Sequence, residues 1–336
     1  MRGGTRTFSL GKTWSLWLVF LLAMGGCFKP RITLFPDGSE PLKESVLEGE
    51  GRGKIVVIGV TGFISDSPGP VPFQSKPVVL HEVVSQLRKA EEDEAVKAVV
   101  LKIDSPGGSV TASDMLYNEI LRHKKRTGHK VVAAMMDVAA SGAYYAALAA
   151  DHIVAHPTTI TGSIGVIFVR PKITGFMGKI GLAVEVNKSG KNKDMGSPFR
   201  PTTDEEEGIL QDLIDRMGLR FLTLVASRRG LDEDVLSEIG KARIYLAGEA
   251  HRLGLVDQVG YLDDALAHAK KMAGLPKDAR VVAYRRTEYS DDNIYNPSTR
   301  IPEGLGVTLP LVSIPEHLIP PRGGFYYLWL PEWTKH

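Results

Sequence analysis

Residues 95–147 read AVKAVVLKI DSPGGSV TASDMLYNEILRHK KRTGH KVVAAMM DVAASGAYYAA. Ala95–Ile103 is a short apolar run rich in β-branched residues, closed by a turn, which is the signal of a buried strand. Thr111–Lys124 carries helical spacing, and Lys130–Met136 is a second buried run. An Ala-rich stretch, Ala140–Ala150, then predicts another helix. Strand, helix, strand and helix joined by short turns imply right-handed βαβ units around a largely parallel sheet.

The pattern extends outward in both directions. Upstream, Lys54–Val60 (KIVVIGV) predicts a strand, and Val78–Ala90 a helix with Val79, Val83, Val84 and Leu87 on one side. Downstream, His152–Ala155 and Ala183–Val186 read as strands. Thr203 and Glu206 form a capping box that starts a long helix to about Ser227. Asp232–Ile239, Ala247–Leu253 and Asp263–Ala273 predict shorter helices, and Val281–Tyr284 a last strand. The class is α/β, with a helical C-terminal part.

The balance of 41 basic and 39 acidic residues leaves a formal charge of +2, with no basic excess to point to nucleic acid. One cysteine, Cys27, excludes an internal disulfide and a Cys-based zinc or iron–sulfur site. That cysteine closes a distinctive N-terminus. Arg2, Arg6 and Lys12 precede the apolar run Trp14–Met24, and Gly25-Gly26-Cys27 comes next. The run is shorter than the roughly 20 residues that span a bilayer, which fits the core of a signal peptide covering residues 1–26. Small residues before a cysteine resemble the lipobox of bacterial lipoproteins, where the thiol is acylated. Ordinary secretory cleavage after Gly25 and a short uncleaved anchor are the other readings. All three place the rest of the chain outside the cytoplasm.

Residues 27–53 are rich in Pro, Gly and Glu without periodicity and read as a tether. Residues 286–336 hold seven of the twenty prolines and show no helical or strand period. Mobility is expected of this tail. Its aromatic end, GFYYLWLPEW, also leaves open a contact with a partner or a membrane, because aromatic side chains prefer interfaces.

Two turns that come after strands can carry chemistry. Asp104-Ser105-Pro106-Gly107-Gly108 has paired glycines that free the backbone to aim N–H groups outward. It could bind phosphate, stabilise an oxyanion or be a plain tight turn, and it matches neither common nucleotide-binding glycine motif. In the second turn, Ser141 stands between a strand and a helix with small neighbours. Its hydroxyl is then reachable and Gly142 can offer an N–H to a developing oxyanion. Helix capping is the alternative role for such a serine. A Ser-His-Asp triad from Ser141, His152 or His156, and Asp151 is conceivable. However, strand alternation gives neither histidine a reason to face the serine.

Thr161-Gly162-Ser163-Ile164-Gly165 and Lys188-Ser189-Gly190-Lys191-Asn192-Lys193-Asp194 complete the set. In this order, SPGG, ASG-x-YY, TGSIGVI and KSG-x-x-KD resemble the signal peptide peptidase A family of membrane-associated serine–lysine peptidases. Arg243–Asp257 (RIYLAGEAHRLGLVD) also looks like the family's. The resemblance runs from about Lys54 to Ala273, and residues 54–285 are taken as the peptidase domain. Ala143 departs from it, standing where a second glycine is common.

The resemblance implies a crotonase/Clp-protease-like fold of stacked βαβ units. It makes Ser141 the nucleophile, Lys193 the general base and Ser163 the residue that orients the lysine. Gly107, Gly108 and Gly142 supply the oxyanion region. A lysine at its reference pKa of about 10.4 is a poor base, and burial can lower it by roughly 3–5 units. Choosing Lys193 over Lys188 and Lys191 rests on the KD step of the motif alone. The resemblance further implies a ring-like homo-oligomer that pairs Ser141 with a neighbour's Lys193. Expected substrates are hydrophobic peptides such as signal-peptide remnants, with no metal, nucleotide or other cofactor. A non-catalytic membrane scaffold of the same fold and a crotonase-like acyl-CoA enzyme are the alternatives; export argues against the second.

Overall fold

In the computed structural model, described for residues 40–67, 78–286, 293–296 and 324–329, the buried apolar runs form the centre of a sheet. Nine of the described strands make it: β1 (Lys43–Glu48), β2 (Gly51–Thr61), β3 (Val96–Ser105), β5 (Lys130–Ala140), β6 (His152–Ala155), β7 (Ile160–Gly162), β9 (Ile244–Leu246), β10 (Gln258–Val259) and β11 (Ala279–Arg285). The main path runs β1-β11-β2-β3-β5-β6-β10, and β7 continues from the far end of β5 with β9 beside it. The pairings are parallel except β1 with β11 and β7 with β9.

Strand alternation gives the sheet two apolar faces, as expected when helices cover both sides. Ile55 and Val57 of β2 and Ala98 and Val100 of β3 face α8 (Leu262–Met272), packing with its Leu262, Ala265, Leu266 and Ala269. Val56, Ile58 and Val60 face the other way with Val99, Leu101 and Ile103. That second layer lies under α1 (Val79–Glu91), α2 (Val110–Thr127) and α3 (Gly142–Ala147). The remaining helices are α4 (Thr174–Ile180), α5 (Asp204–Arg229), α6 (Glu233–Ile239) and α7 (Ala247–Arg252). The Thr203–Glu206 capping box is present at the start of α5. No described helix is long and apolar enough to cross a membrane.

Three expectations are corrected. Residues 43–53 of the expected tether belong to the sheet: β1 is an exposed, charged edge strand on β11, and β2 starts at Gly51. Ala183–Val186 forms no strand, because no described strand lies beside it to pair with its exposed backbone. The tail, by contrast, contains β12 (Gly324–Leu328), the centre of a small antiparallel sheet between β4 (Gly107–Ser109) and β8 (Ile167–Val169). Cys27 and the signal segment lie outside the described residues.

A polar relay ties α1 to α2. Glu91 accepts from Arg126, His123 Nδ1 lies 3.1 Å from Glu91, and His129 Nδ1 lies 3.2 Å from His123 Nε2. Burial, and then the neighbouring His123, hold the His129 pKa down to about 4. A histidine depressed in the folded state binds its proton more readily when unfolded. Stability is therefore full above about 6.5 and falls as the pH drops toward about 4. The melting temperature should decline across that window, and by less in His129→Gln; an equal decline in the variant would assign the loss to other groups.

Candidate active site

The parallel register of β5 and β7 ends both strands together, with Ala140 opposite Gly162. Ser141 and Ser163 come directly after, and the Ser141 N–H donates to the Gly162 carbonyl at 2.8 Å. Both serines have positive φ, +53° and +52°. A non-glycine residue held there costs about 1–3 kcal/mol and persists only where its surroundings enforce it. For Ser141 the conformation makes a sharp strand-to-helix elbow into α3. The side chain caps nothing: its Oγ is buried without a hydrogen-bond partner among the described residues. That excludes the capping role and leaves a hydroxyl free to react.

The paired glycines lie against this elbow. Gly107 has φ +104°, and a Cβ there would stand 2.8 Å from the Gly142 nitrogen. A Cβ on Gly142 would stand 3.1 Å from the Gly108 nitrogen and 2.3 Å from Ser113 Oγ. The Gly107 N–H is engaged by Ser105 Oγ at 3.1 Å, so its contribution is conformational. Gly108 and Gly142 are the two amides gathered beside Ser141, an arrangement suited to a developing oxyanion. Gly108 leaves no room for a side chain, since a Cβ would meet the Ile64 carbonyl oxygen at 1.9 Å. Gly108→Ala should cost about 3 kcal/mol and lower the melting temperature by about 6–10 °C. A calorimetric scan within two degrees of the parent would show that the turn yields.

Lys193 is not brought into hydrogen-bond contact with Ser141. It is exposed, in the irregular segment between α4 and α5. Its neighbours separate it from the other lysines. Lys188 pairs with Asp194 at 2.6 Å and Lys191 with Glu205, whereas the Lys193 ammonium has no ion-pair partner among the described residues. Asp194 is also held by Arg200, which pairs with Glu206 as well. Hydrogen bonds from Arg200 and Lys188 hold the Asp194 carboxyl far below the usual range; Arg200 and the Thr203 N–H hold Glu206 down to about 2.

A histidine triad is not assembled. The carboxylate of Asp151 is taken by the Val131 N–H and Lys124. His152 stacks on His268 at 3.6 Å, and His156 bonds Thr158. Sequence reading also missed an aromatic pocket next to the elbow. Tyr145 packs against Tyr117, Phe221 and Tyr327 with ring centroids 5.0–5.5 Å apart, while its hydroxyl donates to Asp114 at 2.6 Å. The aromatic run of residues 325–327 was the available signal.

A parallel-rich sheet ending in a strained serine elbow, with two backbone amides gathered beside it, defines a hydrolase of the Clp-protease type. Family comparison agrees: residues 73–160 match the Clp protease model, and residues 123–276 match peptidase family S49. A protein named signal peptide peptidase SppA from Enterococcus faecium is 36% identical over 252 residues, 75% of this chain and 73% of that protein. The chloroplastic serine protease SPPA of Arabidopsis thaliana is 34% identical over 256 residues, covering 36% of its length. Protease 4 of Haemophilus influenzae is 30% identical over 279 residues, covering 44% of its length. The chain belongs to peptidase family S49, the signal peptide peptidase A family, and is a serine peptidase.

Proposed function

We propose that this chain is an exported, membrane-attached serine endopeptidase with a Ser141–Lys193 dyad that cleaves hydrophobic peptides such as signal-peptide remnants. The observation that carries it is the Ser141 elbow, with its unpartnered Oγ beside the Gly108 and Gly142 amides. In the first half-reaction, neutral Lys193 takes the Oγ proton as Oγ bonds to the scissile carbonyl carbon. The two amides stabilise the oxyanion. Collapse breaks the C–N bond, and the lysine ammonium protonates the departing amine. Water, deprotonated by the same lysine, then hydrolyses the acyl-enzyme. Ser163, one residue past the β7 end and level with Ser141, orients the lysine.

The base comes from a neighbouring subunit of a homo-oligomeric ring. Two observations support this reading: Ser141 Oγ has no partner among the described residues, and the segment leading to Lys193 is bare. Phe176, Ile180, Leu182 and Val186 are each more than half exposed there, which is typical of a surface awaiting a partner. Attachment is through a lipid on Cys27. Labelling of the assembled protein by a fluorophosphonate probe, with the adduct mapped to Ser141, tests the reading. An intact oligomer that neither labels nor cleaves apolar peptides would favour a non-catalytic scaffold.

A further inference from the structure

Strand β7 is only three residues long, yet it has to hold two strained serines level. Its partner β5 changes neighbours along its length: Met135 stands opposite Ala155 of β6, and Val138 opposite Ile160 of β7. The β5–β7 ladder consists of Val138–Ile160, Ala139–Thr161 and Ala140–Gly162. A ladder so short gains few bonds against the entropy of ordering its backbone, and its end is where it would fray.

Two threonine hydroxyls reinforce that ladder, and both residues are fully buried. Thr159 Oγ1 shares its proton between the Met135 carbonyl, at 2.9 Å, and that of Met136. These carbonyls stand at the gap between the β6 and β7 ladders, so the hydroxyl replaces a missing strand partner. Thr161 Oγ1 donates to the Ala139 carbonyl at 2.7 Å, inside the ladder itself.

The place of the second bond gives it a different weight. Ser141 is two residues past Ala139 and Ser163 two residues past Thr161, so the tie lies equally far behind both serines. The Ser141 N–H bond to the Gly162 carbonyl, at 2.8 Å, comes between the tie and the elbow. On the opposite edge the Ser163 N–H donates to the Arg243 carbonyl at 2.7 Å, just before β9. A Cβ on Gly162 would stand 2.6 Å from that same oxygen, so β7 has no room to shift toward β9. The Thr161 bond resists sliding along β5 at the point where the ladder ends. Residues at positive φ relax unless their surroundings hold them, and Ser141 and Ser163 are both in that position.

We propose that Thr161 is a positioning residue whose hydroxyl fixes the offset between Ser141 and Ser163. The effect on rate rests on the peptidase reading, in which Ser141 attacks and Ser163 orients the lysine; the effect on the strand ends does not. Misplacing reacting groups by about 1 Å costs up to about 10²-fold in rate, and a group that acts on alignment alone leaves substrate binding unchanged.

The test compares Thr161→Val, Thr161→Ser and Thr159→Val in the full-length, assembled protein. One readout is the rate of fluorophosphonate labelling at Ser141, with kcat and KM for an apolar peptide. The other, independent of activity, is hydrogen exchange of the Ser141 amide, followed by mass spectrometry of the peptic fragment that carries it. Thr161→Val should lower labelling rate and kcat by about 10- to 100-fold at unchanged KM, and speed exchange by about tenfold. Thr161→Ser keeps the hydroxyl and should stay close to the parent in both. Thr159→Val removes an equally buried hydroxyl and should lower the melting temperature without slowing labelling. Thr161→Ala, with the same expectations, serves if Thr161→Val does not fold. Parental rate and exchange in the Thr161 variants would overturn the proposal and leave the peptidase reading intact. Equal losses in Thr161→Ser or Thr159→Val would also overturn it, since packing rather than this hydrogen bond would then be responsible. Faster exchange in Thr161→Val, in a chain whose parent never labels at Ser141, would sink the peptidase reading and leave the tie standing.

Discussion

Ser141→Ala is expected to reduce peptide hydrolysis by about 10⁴-fold or more without lowering the melting temperature. The two halves of this expectation have separate causes. Activity needs the Oγ to form the bond to the scissile carbon. Stability does not need it, because the Oγ is buried with no partner among the described residues and so carries an uncompensated desolvation cost of about 1–3 kcal/mol. Alanine relieves that cost and keeps the Cβ that experiences the positive φ, so the strain of the elbow is the same in both proteins. Hydrolysis rates and a thermal scan on one preparation check both halves. Residual activity above one per cent would remove Ser141 from the chemistry.

Lys193→Ala should lower the rate by about 10²–10⁴-fold, the range for loss of a general base. It should not disturb folding, since the ammonium is exposed and has no ion-pair partner among the described residues, while Asp194, Arg200 and Glu206 hold the surrounding segment. The informative measurement is a mixture. Ser141→Ala and Lys193→Ala chains co-expressed with different tags should regain about a quarter of parental activity, the chance in a closed ring that an intact serine meets an intact neighbouring lysine. A mixed oligomer as inactive as its parents would place both residues in one subunit. By contrast, Lys188→Ala should act through structure, because it removes one of the two cations on Asp194.

Legibility in the sequence tracked the range of the interactions. β2, β3 and β5 are buried on both faces, so each announces itself as a continuous apolar run. The α5 cap is equally local, because Thr203 and Glu206 satisfy each other within one turn. β1 and β12 were missed for the opposite reason. β1 is an edge strand with charged, exposed residues, and β12 is five residues long with its partners far back in the chain. Such strands take their stability from neighbours rather than from their own composition. At the site, the SPGG and ASG motifs fall on the elbow and the amides beside it. Motif matching could not show that the Gly107 amide is already engaged, nor that ion pairs occupy Lys188 and Lys191.

In the proposed ring, the clamp on Asp194 has a thermodynamic consequence for assembly. Long polar segments usually lose conformational freedom when they dock, and each side chain immobilised costs about 0.5–1.5 kcal/mol. Here Lys188, Arg200 and Glu206 fix the residue next to Lys193 before any neighbour arrives. Most of the main-chain ordering is therefore completed during folding of the single subunit. The stretch around Asp194 thus arrives as a stiff arm instead of a floppy one.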